Sequence, residues 1–130
     1  LVECATETES KQLGINQQEL SQIREVVLFG PKSPWIFART VMPETQGQLI
    51  VELGKKPLGS ILFKSGELRR SSLEVMQLSP SHRLYKEAVS KASVDAKPYL
   101  WARRSLWVSD NNSEQKLLLL EVFLPDSPLY

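Results

Sequence analysis

The run Leu117-Leu-Leu-Leu-Glu-Val-Phe-Leu124 constrains this chain more than any other stretch. Read as a strand, it alternates between two faces. Leu118, Leu120, Val122 and Leu124 share one face; Leu117, Leu119, Glu121 and Phe123 share the other. Both faces are apolar, so the strand calls for cover on both sides. Glu121 is its one ionisable group. A lone carboxylate there costs several kcal/mol or takes up a proton. An arginine, a hydroxyl or a ligand must satisfy it, so Glu121 reads either as half of a structural ion pair or as a binding-site acid. Pro125 and Pro128 then end the strand, because neither can donate to a ladder.

The chain has 130 residues, enough for one domain with one core, and we expect a single domain over 1–130. Hydrophobic residues at 42% can build that core, and charged residues at 24% do not indicate disorder. A net charge of +1 argues against a nucleic-acid surface but leaves room for a pocket holding a small anion. Cys4 is the only cysteine and His82 the only histidine, which excludes a disulfide framework and a cysteine-based or multi-histidine metal cluster. No apolar run approaches a membrane span and no signal peptide is visible, so a cytoplasmic monomer is the default expectation.

In chain order, Leu1 to Cys4 reads as the tail of a strand. Ala5 to Glu19 reads as a polar loop, with a short turn that Asn16 could cap. Gln22 to Phe29 and Trp35 to Met42 form a hairpin across the Gly30-Pro-Lys-Ser-Pro34 turn. Arg24 stands on the first strand with Val26 and Leu28, either at an exposed start or as a site cation. Arg39 stands on the second with Trp35 and Phe37. Gln46 to Leu53 has helical spacing closed by Gly54, and a Pro-Leu-Gly turn at Pro57 to Gly59 lets backbone approach a ligand. A short helix at Ser60 to Phe63, a turn at Ser65-Gly66 and a strand at Leu68 to Gln77 follow. Arg69 and Arg70 start that strand at a solvated edge. Ser79 to Lys97 holds a surface helix with a Leu84, Tyr85, Ala88, Val89, Ala92 stripe, Ser81 as its cap and His82 solvated. Tyr99 to Val108 is a strand whose Arg103 and Arg104 point to opposite faces; it forms a second hairpin with Leu117 to Leu124. The order suits an α+β fold, an antiparallel β-sheet with flanking helices.

No phosphate loop, metal cluster or nucleophile elbow is present. What remains is Arg24, Arg39 and Arg103 or Arg104, with Glu121, all on otherwise apolar strands. Arginine binds carboxylate bidentately, and a carboxylate accepts from a hydroxyl. The set suits a small ligand with a carboxylate at one end and a hydroxyl at the other.

Five blocks, Ile23 to Leu28, Pro34 to Pro43, Leu53 to Gly59, Leu100 to Ser105 and Leu118 to Tyr130, together resemble the chorismate lyase family. The resemblance implies a cofactor-free lyase of ubiquinone biosynthesis that converts chorismate to 4-hydroxybenzoate and pyruvate. It implies that Arg24 and the backbone of Leu58 hold the ring carboxylate and that Glu121 meets the ring hydroxyl. Arg39, or one of Arg103 and Arg104, would hold the enolpyruvyl carboxylate. It also implies helices and a strand ahead of the segment equivalent to Leu1, so the chain is expected to be N-terminally incomplete against the family. The 78–97 segment is longer than the family pattern and reads as a tolerated surface insertion. The rival reading is a non-catalytic small-molecule-sensing domain of the same fold, the effector domain of a transcription regulator.

Overall fold

A computed structural model of the chain describes residues 2–4, 6–43, 68–109 and 116–130. The readings at 46–54, 57–59, 60–63 and 65–66, Leu58 among them, lie outside the described residues. The described elements are β1 (Val2–Cys4), α1 (Glu7–Leu13), β2 (Leu20–Phe29), β3 (Pro34–Pro43), β4 (Leu68–Leu78), α2 (Arg83–Ala92), β5 (Leu100–Ser109) and β6 (Lys116–Phe123). The strands form an antiparallel sheet in the order β1-β2-β3-β6-β5-β4, which confirms the α+β class. The expected N-terminal strand tail is β1; it pairs antiparallel with β2, Glu3 opposite Ser21. Two compact units share these strands: the first is Leu1–Arg24, Thr40–Leu73 and Ser105–Leu119, the second Glu25–Arg39, Glu74–Arg104 and Leu120–Tyr130.

In the first unit, α1 corrects the expectation of a loop. Thr6 and Glu9 form a capping box: the Glu9 N–H donates to Thr6 Oγ1 at 3.2 Å and the Thr6 N–H donates to Glu9 Oε1 at 3.0 Å. That reciprocity satisfies two of the N–H groups a helix start leaves open. Gly14, at φ 69°, closes the helix in the left-handed region, and Lys116 Nζ donates to the Leu13 carbonyl at 3.4 Å. Asn16 caps no helix; its Oδ1 accepts from the Gln18 N–H at 2.9 Å in a turn leading into β2. Leu13, Ile23, Val41 and Leu118 form the core of this unit.

In the second unit, Phe37, Leu78, Leu84, Tyr85, Ala88, Leu100, Ala102, Leu120, Val122 and Leu124 close around the apolar stripe of α2, with Val27 packed against them. The stripe is as the spacing predicts, but the helix is shorter than 79–97 and its cap is His82, not Ser81. His82 Nδ1 accepts from the Leu84 N–H at 3.1 Å, while Ser81 Oγ bonds Ser79 Oγ at 2.9 Å. His82 is exposed, as expected, but it has a structural role. The Tyr85 hydroxyl donates to the Lys97 carbonyl at 2.5 Å and accepts from the Lys97 N–H at 2.8 Å, tying the helix to the segment entering β5.

Candidate functional site

The two faces of the second unit differ. Glu25 and Val27 on β2, Phe37 and Arg39 on β3, and Leu120 and Val122 on β6 turn toward the α2 side. The alternating positions Val26, Ile36, Trp101, Arg103, Glu121 and Phe123 are only part-buried or exposed. The double cover expected for β6 therefore holds from Leu117 to Leu120, all buried, and opens at Glu121 and Phe123.

Glu121 is not alone at that opening. Arg103 Nε donates to its Oε1 at 2.6 Å and Arg103 Nη2 donates to Oε2 at 3.3 Å. The side chains are 43% exposed for Arg103 and 13% for Glu121, so the arginine is the outer member of the pair. Its guanidinium carbon lies 5.7 Å from the centre of the Phe123 ring. The hydrogen bond to Glu121, and then its charge, hold the Arg103 guanidinium above its ordinary range against the desolvation that lowers it. Arg104, on the opposite face as alternation requires, donates from Nη2 to Glu74 Oε2 at 2.7 Å.

The other arginines are held differently. Arg39 is buried and donates from Nη1 to Glu25 Oε2 at 3.0 Å, and Lys91 of α2 binds the other oxygen of Glu25. Arg24 belongs to the first unit and is part-buried, and no ion pair joins it to another described residue. The structure thus brings together Glu121 and Arg103, and sets Arg39 in an ion pair of its own.

Three aromatic residues around Glu121 carry no signal of their own in the sequence: Phe123 under Arg103, Trp101 next along β5, and Tyr130. The prolines end β6, and successive turns fold the tail back, with the Ser127 N–H on the Leu124 carbonyl at 2.9 Å and the Tyr130 N–H on the Ser127 carbonyl at 3.2 Å. The Tyr130 hydroxyl then donates to the Phe123 carbonyl at 2.5 Å and accepts from the Trp101 N–H at 2.8 Å. Pro125 and Pro128 marked the end of the strand but not this return of the tail.

Among the described residues no group of His, Cys, Asp and Glu could hold a metal ion, and no helix is long and apolar enough to cross a membrane. The fold and the arginine-held acid define an α+β domain that presents a charged pair on a part-apolar sheet face. The chain belongs to the chorismate lyase family, whose model matches residues 2–130. It is 33% identical over 133 residues to a probable chorismate pyruvate-lyase of Pseudoalteromonas atlantica, covering 98% of this chain and 66% of that protein. It thus spans slightly under two thirds of that relative's length. In fold it is similar to the PhnF C-terminal domain, with a TM-score of 0.77 at 14% identity over 98% of this chain and 79% of that one. It is also similar to a GntR-family transcriptional regulator of Bacillus cereus, with a TM-score of 0.71 at 18% identity over 97% and 87% of the two chains.

Proposed function

We propose that the chain carries chorismate pyruvate-lyase activity, converting chorismate to 4-hydroxybenzoate and pyruvate for ubiquinone biosynthesis, as a cytoplasmic, cofactor-free, monomeric single-domain enzyme with no nucleic-acid partner. The observation that carries the reading is the family match over 2–130, which includes Glu121 and the arginine that holds it. In the reaction the C3–O bond breaks and its electron pair leaves on the enolpyruvyl oxygen. The C4 hydrogen leaves as a proton, its electrons complete the aromatic ring, and a proton on the departing methylene carbon gives pyruvate. Aromatisation supplies driving force, so the protein must mainly orient and stabilise charge. Arg24 and the Leu58 backbone hold the ring carboxylate, and Glu121 accepts from the C4 hydroxyl. Of the three arginines expected for the enolpyruvyl carboxylate, Arg39 and Arg104 turn to the other face of the sheet and Arg103 is held by Glu121, so none of the three is assigned to it.

Two features support the roles of Arg24 and Glu121. Arg24 alternates with Glu25, whose carboxylate is taken by Arg39 and Lys91, and has no described acid of its own. Glu121 alternates with Leu120 and Val122, which enter the α2 core.

Incubating the full-length protein with chorismate should release pyruvate and 4-hydroxybenzoate in equal amounts. Glu121→Gln should lower turnover, and unchanged turnover would remove the acid from the reaction. Arg24→Ala should weaken 4-hydroxybenzoate binding in calorimetry. The likeness to GntR-family regulators favours a second reading, a ligand-sensing domain; 4-hydroxybenzoate binding without pyruvate release would select it.

A further inference from the structure

We propose that Arg103 is the positioning residue for Glu121: it fixes the plane of the carboxylate toward the ring hydroxyl and is not itself a contact for the substrate's second carboxylate. The inference deepens the lyase reading and rests on it.

The geometry argues for this role in three steps. The Arg103 fork meets both oxygens of Glu121, at 2.6 and 3.3 Å, so the pair fixes a plane rather than a single point. Each carboxylate oxygen offers two acceptor directions, so Glu121 can still accept from a substrate hydroxyl with Arg103 in place. Arg103 is itself steadied, because its guanidinium lies over the Phe123 ring, two residues beyond Glu121 on the same face of β6. A guanidinium committed to one carboxylate in this way is poorly placed to serve a second. Arg104 turns to the opposite face of β5, where its Nη2 donates to Glu74 Oε2 at 2.7 Å, so it does not reach the Glu121 face.

A lysine could not reproduce the fork. Its ammonium is a point charge that meets one oxygen at a time and leaves the carboxylate free to turn. Partners that orient an active group typically matter by about 10- to 100-fold.

The test is steady-state turnover of chorismate by the full-length protein and its Arg103→Met, Arg103→Lys, Glu121→Gln and Arg103→Met/Glu121→Gln variants. The expected result is a kcat lowered about 10- to 100-fold in both Arg103 variants, with KM changed less than about threefold. In the Glu121→Gln background, Arg103→Met should cost nothing further in kcat, because a residue acting through Glu121 has nothing left to orient. A raised KM at unchanged kcat would overturn the proposal in favour of a direct contact with substrate. So would losses that multiply in the double variant, or wild-type kinetics in Arg103→Met. If the wild-type protein releases no pyruvate, the lyase reading falls and takes this proposal with it; if only the Arg103 variants behave as wild type, the lyase reading stands and this proposal alone falls.

Discussion

Arg39 donates to Glu25 at 3.0 Å across the β2–β3 hairpin, with the two side chains only 5% and 11% exposed. Lys91 of α2 takes the other carboxylate oxygen and also pairs with Glu87 at 3.4 Å. One acid therefore ties two strands to the helix that closes their core. Removing one member of a buried pair leaves its partner charged in a poorly solvated place. We expect Glu25→Ala to cost about 3 kcal/mol in equilibrium denaturation. Replacing both members, as in Glu25→Leu/Arg39→Met, should recover most of that loss. A double variant as unstable as Glu25→Ala would show that the charges themselves are required.

The same group sets an acid limit. Burial raises the Glu25 pKa most, but hydrogen bonds from Lys91 and Arg39, with their charges, outweigh it and leave the pKa below 4.5. A folded value below the unfolded one gives stability that is complete above about pH 4.5 and drains away as pH falls through the folded value. The urea midpoint should therefore drop below pH 4.5 in the wild type, and more gently in Glu25→Gln. Parallel curves would mean that Glu25 is not the group being titrated.

The capping box of α1 offers a local test in the first unit. Thr6→Ala removes the acceptor for the Glu9 N–H and should cost about 1 kcal/mol, whereas Thr6→Ser should cost little. Amide exchange at Glu9 should quicken in the alanine variant alone. Unchanged exchange would show that the helix start does not depend on this contact.

The strands were legible because β-branched and aromatic residues cluster between turn residues, as in Gln22 to Phe29 and Trp35 to Met42. Helix α1 was harder to see because it is short, acidic and buries only Leu13 among its large apolar residues. The Thr6-Glu-Thr-Glu9 start was nonetheless a readable capping box. His82 displaced Ser81 as a cap because Ser81 turns to Ser79, a choice between adjacent polar side chains that spacing does not decide. At the site, the isolation of Glu121 on an apolar strand was plain in the sequence. Which arginine answers it was not: Arg103 and Arg104 are neighbours on opposite faces, and only the placement of α2 decides which face stays open.

Gly30 is required by contact rather than by its backbone angle. A Cβ there would collide with Cε2 and Nε1 of the Trp35 indole, and the Gly30 N–H is held by the Ser33 carbonyl at 2.8 Å. The indole lies across the bare glycine at the hairpin turn. Gly30→Ala should displace it, costing about 2 kcal/mol through overpacking. The near-ultraviolet circular dichroism should change, and a Gly30→Ala/Trp35→Leu variant should lose less than Gly30→Ala adds on its own. An unaltered spectrum in Gly30→Ala would mean that the turn yields instead of the ring.

The Tyr130 hydroxyl stands between the Trp101 N–H and the Phe123 carbonyl, where β5 and β6 run side by side close to Glu121 and Arg103. It bridges the two strands, accepting from one and donating to the other. Burial pushes its pKa up, with the bond from the Trp101 N–H acting the other way. The group therefore stabilises the fold fully below about pH 10, and the contribution is lost as pH rises through the folded value. Tyr130→Phe keeps the ring and removes both hydrogen bonds, and should cost about 1 kcal/mol for each that is not replaced. The Trp101 amide should then exchange with solvent faster, and the alkaline loss of stability should shrink. If β5 and β6 instead close directly, that amide will stay protected and the cost will approach zero, which would make the hydroxyl a spacer rather than a tie.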